Sequence, residues 1–269
     1  MLQLVVTDTE TTGTEDCDQV VEVATDTLVH DGNGWVSAQR WQTLVRPTVG
    51  ISWGALATHH ITPAMLREER DMATLLEKDG LAAFRDPQDV VFVAHFAEFD
   101  RRLLTQSGVV VPERTICTWR CAQHIWPDAP GHSNQVLRYW LGLDVDRDLG
   151  ALGLPPHRAM PDVIVTAALL VKMLETRSVG MLEVLTLEPI IHNTVRFGMH
   201  QGKAWADVPP GYLQWILREG EERVVGGQKK GFDRDTRATA QHYLSGAHKK
   251  AVVAAVDQPP QNLFGSGSR

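Results

Sequence analysis

The stretch LVVTDTETTG, residues 4–13, decides the reading of this 269-residue chain. Leu4 to Thr7 form an apolar, β-branched run, so residues 2–8 are expected as a buried strand. Side chains two apart on a strand share a face. Asp8 and Glu10 therefore project together at the strand's end. Carboxylates this close repel and raise one another's pKa unless a cation sits between them. A bare D-x-E pair is usually no more than a solvated strand face. Here an apolar strand leads into it and a T-T-G turn follows, with backbone N–H groups suited to a phosphate or a sugar hydroxyl.

Working outward, residues 20–29 and 37–46 read as two further strands separated by the turn-like HDGNG, which makes an antiparallel meander. Met65, Leu66, Met72, Leu75 and Leu76 recur at helical spacing, and the pattern predicts a helix over 63–84. Val90–Val93 is a short apolar strand, followed by a helix from Glu98 to Gln106. Thr115–Thr118 reads as another strand, with helical segments to about Leu141. Residues 162–175 (DVIVTAALLVKMLE) predict a helix whose first turn accommodates Pro161. Strands first antiparallel, then alternating with helices, describe a mixed α/β sheet.

Two more clusters carry chemistry. In HFAEFD (95–100) Asp100 lies on the first turns of a helix, where an aspartate is ordinary because it complements the helix dipole. In HRAMPD (157–162) Asp162 opens a helix and His157 precedes it on a loop. An unperturbed histidine, with a pKa of about 6.5, suits a general base near neutral pH.

The apolar fraction is 43%, ordinary for a globular core. No run of 18 apolar residues occurs, so no membrane partner is expected. The opening MLQLVVTD has no basic start and no cleavage-like site, and a strand is expected there rather than a secretory leader. Cys17, Cys117 and Cys121 match no zinc spacing and read as reduced thiols of a cytoplasmic protein. The net charge of −7 is unevenly spread. Residues 1–189 hold 15 Lys/Arg against 26 Asp/Glu, and residues 190–269 hold 11 against 7. An acidic part and a basic part imply two jobs.

The order D-x-E, a post-strand aspartate, then H-x-x-x-x-D on a late helix resembles the DEDDh superfamily of 3′→5′ exonucleases. Within it the chain is similar to the exodeoxyribonuclease X branch. The matching segments are DTETTG (8–13), LVRP (44–47), ATHHIT (57–62), FDRRLL (99–104), ICT (116–118) and HRAMPDVIVTAALL (157–170). The C-terminal FG-x-x-x-GKAWADVP-x-x-YLQWIL (197–217) and QHYL (241–244) resemble a module that some of these enzymes carry. The resemblance implies an RNase H-like fold over residues 1–180 and a small accessory module at 193–247, which the charge count makes basic. Residues 181–192 between them read as a linker, and the Pro-, Gly- and Ser-rich end as a flexible tail at 248–269.

It also implies two divalent ions, Mg²⁺ or Mn²⁺, held by Asp8, Glu10, Asp100 and Asp162. His157 would deprotonate the attacking water. Thr11 and Thr12 would meet the terminal nucleotide, largely through backbone, and His59 would line its pocket. His60 falls where the family often has glycine. DNA, single-stranded or at 3′ ends, is the expected substrate. The alternatives are RNA trimming, or a catalytically silent nucleic-acid-binding scaffold.

One position departs from the family's H-N-A-x-F-D. Phe96 replaces the asparagine, and its ring either offers a face to a base or turns into the core beside Phe99. In the second part, Trp205, Tyr212 and Trp215 are expected to form a small aromatic core with a basic surface. Gln261-Asn262-Leu263-Phe264 resembles a sliding-clamp peptide, but its spacing is one residue short, which chance explains.

Overall fold

The computed structural model describes residues 1–78, Phe84, 89–225 and 228–246. The predicted flexible tail and its clamp-like peptide lie outside the described residues. Two compact units divide between Glu188 and Pro189.

The first unit is built on a five-stranded sheet of order β3-β2-β1-β4-β5. The meander is β1 (Gln3–Thr11), β2 (Val20–His30) and β3 (Trp35–Leu44). After it come the short helices α1 (Trp53–His59), α2 (Pro63–Leu66) and α3 (Met72–Lys78), then β4 (Val90–Ala94), α4 (Ala97–Gln106) and β5 (Thr115–Cys117). The unit ends with α5 (Thr118–Ile125), α6 (Asn134–Leu141), α7 (Asp146–Leu152), α8 (Ala159–Leu174) and α9 (Val179–Leu187). The meander is antiparallel, and β1–β4 and β4–β5 are parallel. The mixed sheet read from the sequence is the one found.

Strand alternation sorts the core into two layers. Leu4, Val6, Val91, Val93 and Ile116 face one side, with Met160, Val163 and Leu170 of α8. Val5, Phe92, Ala94 and Cys117 face the other, with Leu103 and Leu104 of α4. Continuing the alternation along β1 assigns Asp8 and Glu10 to the α8 face, and Thr7 and Thr9 to the α4 face.

Two sequence expectations give way. The single helix over 63–84 is instead α2 and α3, with residues 79–83 outside the described set. Arg67-Glu68-Glu69-Arg70-Asp71 offers no apolar residue to continue a buried face. The Arg46 N–H donates to the Arg70 carbonyl at 2.9 Å, tying the break to the end of the meander. Asp71 restarts the helix by accepting the Thr74 N–H at 2.8 Å. The expected linker at 181–192 is also largely helical, because α9 fits back onto β5 and α5. Leu182 is buried, the Cys117 N–H donates to Thr186 Oγ1 at 2.9 Å, and Arg120 Nε donates to the Thr186 carbonyl at 2.8 Å.

The second unit contains α10 (Pro210–Glu219), the hairpin β6 (Arg223–Val225) and β7 (Gln228–Lys230), and α11 (Arg234–Leu244). Val195, Trp205, Leu213, Ile216 and Ala240 form its core, with Phe197, Tyr212 and Phe232 packed against it. Trp205 is enclosed as expected, whereas Trp215 stays 36% exposed on the rings of Tyr212 and Phe232.

Candidate active site

Asp8 and Glu10 leave β1 at its carboxyl end, on the face where α8 begins. Asp162, in the first turn of α8, meets them there. One carboxylate oxygen from each of the three lies within 4.8 Å of the others. Asp8 and Glu10 are half-buried and Asp162 is buried.

Asp100 arrives from the other layer. β1 pairs with β4 only from Gln3 to Val6, so the later N–H groups on that edge have no strand partner. Asp100 supplies one: the Thr9 N–H donates to its Oδ1 at 3.0 Å and Thr9 Oγ1 at 2.7 Å. This fixes a fully buried carboxylate close enough to Asp8 for its charge to raise the pKa of Asp8.

The electrostatics show what the cluster is suited to hold. Burial pushes Asp8 well up, and Asp100, Asp162, Glu10 and Glu22 add to the rise. Glu10 is pushed up to about 8 by burial, then by Asp162 and Glu22. Asp100 goes up to about 7 by burial, against the lowering effect of Thr9. Asp162 is raised by burial, with the His157 charge and backbone N–H opposing. Four carboxylates gathered together, two of them buried and two half-buried, are stabilised as anions by a cation, and an all-oxygen donor set suits a hard divalent ion such as Mg²⁺ or Mn²⁺. The residues present fit that group.

His157 is exposed on the loop before α8, at φ 61°. Its backbone N–H donates to Asp162 Oδ2 at 3.2 Å, which ties the histidine to the cluster while leaving the ring to solvent. Three other predicted residues are turned inward. Thr12 is completely enclosed. Its hydroxyl donates to Asp18 at 2.6 Å, its N–H to the Gln19 carbonyl at 2.8 Å, and its carbonyl accepts the Ser52 N–H at 2.8 Å. The hydroxyl and N–H of Thr12 are thus both engaged within the protein. Thr11 is buried, with its hydroxyl bound to the Gly13 carbonyl at 2.6 Å. A Cβ on Gly13 would stand 2.5 Å from Asp18 Oδ2, so a larger residue there would displace the carboxylate that binds Thr12 and the Glu15 N–H.

His59 is likewise buried rather than lining an open pocket. Its Nε2 donates to the Thr11 carbonyl at 3.1 Å and its Nδ1 accepts the Ile61 N–H at 2.9 Å, which defines a neutral ring. Burial lowers its pKa, in keeping with that state. His59 and Ser52 thus dock α1 against the turn after Glu10. His60, at φ 59°, occupies the left-handed conformation that makes glycine the easier residue there.

Phe96 also has positive φ, 82°, and its ring is 51% exposed. That excludes the core alternative beside Phe99.

Sequence reading missed Glu22 and Arg158. Glu22 is the cross-strand partner of Glu10 and is buried. Arg158 Nε and Nη2 donate to its two oxygens at 2.9 and 2.6 Å, and the Ala159 N–H adds a third bond at 3.0 Å. This fork anchors the start of α8, between His157 and Asp162, to the back of the carboxylate cluster. Only the register of β1 and β2 brings Glu22 to this place. Gln135 Nε2 reaches Asp162 Oδ1 at 3.4 Å.

A family profile described as exonuclease, of the RNase T type, matches residues 5–170. Exodeoxyribonuclease 10 of Escherichia coli K12 is 31% identical over 249 residues, covering 91% of this chain and 99% of that protein. Among solved structures, exonuclease X in complex with 5′ overhanging duplex DNA is 30% identical, with a TM-score of 0.55 over 68% of this chain and 99% of that one. A structure of exonuclease I has a TM-score of 0.56 over 97% of this chain and 75% of that one; at 14% identity this is a likeness of fold. The profile takes in Asp8, Glu10, Asp100, His157 and Asp162 together, and the chain belongs to the exonuclease family.

Proposed function

We propose that this chain is a metal-dependent 3′→5′ exodeoxyribonuclease that releases 5′-mononucleotides. The observation that carries the reading is the convergence of Asp8, Glu10 and Asp162 from β1 and α8, with oxygens within 4.8 Å. Asp8, Glu10, Asp100 and Asp162 would hold two Mg²⁺ or Mn²⁺ ions, which when bound stabilise the attacking and leaving oxygens of an in-line displacement. His157, exposed beside Asp162, takes the proton from the attacking water. The Glu22–Arg158 fork keeps the His157 loop and Asp162 in fixed relation to Glu10. Thr11 and His59 act one layer behind, by holding the turn in shape.

DNA is preferred over RNA as substrate because the 31% identical relative is named an exodeoxyribonuclease and the 30% identical structure holds duplex DNA. A silent scaffold would have no use for four carboxylates kept close against their mutual repulsion. The test incubates the full chain with Mg²⁺ on labelled single-stranded DNA, duplex DNA and RNA. We expect mononucleotide release from DNA 3′ ends. Asp8→Ala and Asp162→Ala should each lower turnover on the order of 10⁴-fold or more, with the fold kept. Unchanged turnover in either variant would overturn the metal-site assignment. Faster trimming of RNA than of DNA would overturn the substrate.

A further inference from the structure

The chain passes from β4 to α4 through Phe96, at φ 82° and ψ 45°. That conformation suits glycine or asparagine and is disfavoured for a bulky side chain. The phenyl ring is only about half covered in exchange, at 51% exposed. A left-handed backbone and a half-exposed aromatic ring at one residue contribute little to folding; such outliers collect at functional sites.

The ring has one neighbour of its own kind. Trp119, second residue of α5, meets it edge-on, with centroids 5.0 Å apart and planes at 71°. Trp119 is half-buried against the α4-side core, so the pair is supported from behind while Phe96 faces solvent. Phe96 lies two residues beyond the end of β4 and Trp119 two beyond the end of β5, and Ala94 and Cys117 are register partners. Because β1, β4 and β5 run parallel, this is the end of the sheet from which Asp8 and Glu10 project. Asp100 follows Phe96 by four residues, one helical turn into α4.

We propose that Phe96, backed by Trp119, is a stacking shelf for an unpaired base of the strand being trimmed, and that it biases the site towards single-stranded 3′ ends. The proposal rests on the nuclease reading above. A phenyl ring carries no hydrogen-bonding group, so it cannot read base edges. It can take the face of any base, and such stacking is tolerant of sequence. A base held between two paired neighbours in a duplex has no free face to offer, which is the source of the bias.

The test measures binding of the full chain, in EDTA to prevent turnover, to a fluorescent oligothymidylate and to oligomers with one abasic residue near the 3′ end. Phe96→Ala should weaken binding to the intact oligomer roughly 5- to 150-fold, the span that stacking of one base covers. Phe96→Trp should retain binding. Against the oligomer whose abasic residue falls at the shelf, wild type and Phe96→Ala should bind equally. Equal binding of the intact oligomer by wild type and Phe96→Ala overturns the shelf. An equal loss on intact and on every abasic oligomer also overturns it, as does a loss that merely follows lowered thermal stability. Failure of the nuclease reading shows separately, as wild-type protein that binds the oligomer but releases no nucleotide with Mg²⁺.

Discussion

Residues 1–188 hold 26 acidic and 15 basic side chains, whereas residues 189–269 hold 7 and 11. The two units also treat their charges differently. The first takes carboxylates inside: Glu22, Asp26, Asp100 and Asp162 are buried and Asp8 and Glu10 half-buried. Among the described residues of the second unit, no charged side chain is buried. Burying a charge is costly unless something compensates it. Asp26 has Ser37 and Arg40, and Glu22 has Arg158. Among the described residues neither Asp8 nor Glu10 is ion-paired, and Glu10 feels only the charge of Arg158, already forked on Glu22; that imbalance singles out chemistry from structure. Exposed basic groups carry no such cost, and any contact they made with a polyanion would be salt-sensitive.

The sharpest way to break this contrast is at His157, the proposed general base of the first unit. His157→Ala should lower kcat about 10²- to 10⁴-fold, the usual span for a general base. Thermal stability should hardly move, because the ring is exposed and the bond to Asp162 comes from the backbone. A rate within a few-fold of wild type, measured by nucleotide release, would assign the base elsewhere.

The second unit should contribute affinity without chemistry. The structure dictates where the cut must fall: after Glu188, because α9 belongs to the first unit through Thr186, Leu182 and the 2.8 Å bond from Arg114 to Glu183. Residues 1–188 alone should show a raised KM for long substrates and a nearly unchanged kcat on short oligonucleotides. The slope of log affinity against log salt should flatten by about 0.7 for each single-strand phosphate that the second unit would otherwise neutralise. Equal slopes for the full and shortened chains would remove the second unit from substrate binding.

What the sequence makes legible follows from how local the cause is. The D-x-E pair, the alternation along β1 and the apolar run of α8 are consequences of neighbouring residues, and each is readable from a short window. The break in 63–84 depends on Arg46 capturing the Arg70 carbonyl, and the folding back of 179–187 on Arg120 and Cys117. Neither partner is near in sequence. The same holds inside the site. Thr12 and His59 carry residue types at home beside a nucleotide, yet Asp18 and Gln19 engage the one, and Thr11 and Ile61 the other, within the protein. Glu22 looks like any charge on a strand until the register sets it opposite Glu10.

The smallest expected effect tests the charge imbalance itself, through the stability of the metal-free protein. Unfolded, Glu10 and Asp100 titrate near the ordinary carboxylate values of about 4.3 and 3.9. Folded, they are pushed up to about 8 and about 7. Between those limits the folded state binds more protons than the unfolded state, so stability must fall as pH rises. The contribution is fully present below about pH 4 and is lost by about pH 8, the reverse of a salt-bridged carboxylate. A divalent ion competes with those protons, so Mg²⁺ should raise Tm little at pH 5 and by a few degrees at pH 8. Asp8→Asn removes one of the repelling charges. It should flatten the decline of Tm with pH in EDTA and abolish most of the Mg²⁺ effect. The shortened chain 1–188 should reproduce the wild-type pattern, since all the groups responsible lie in the first unit. A Tm in EDTA that stays level from pH 5 to 8, or an Mg²⁺ shift as large at pH 5 as at pH 8, would mean that the four carboxylates are already compensated within the protein. The contrast between the two units would then be one of charge count alone.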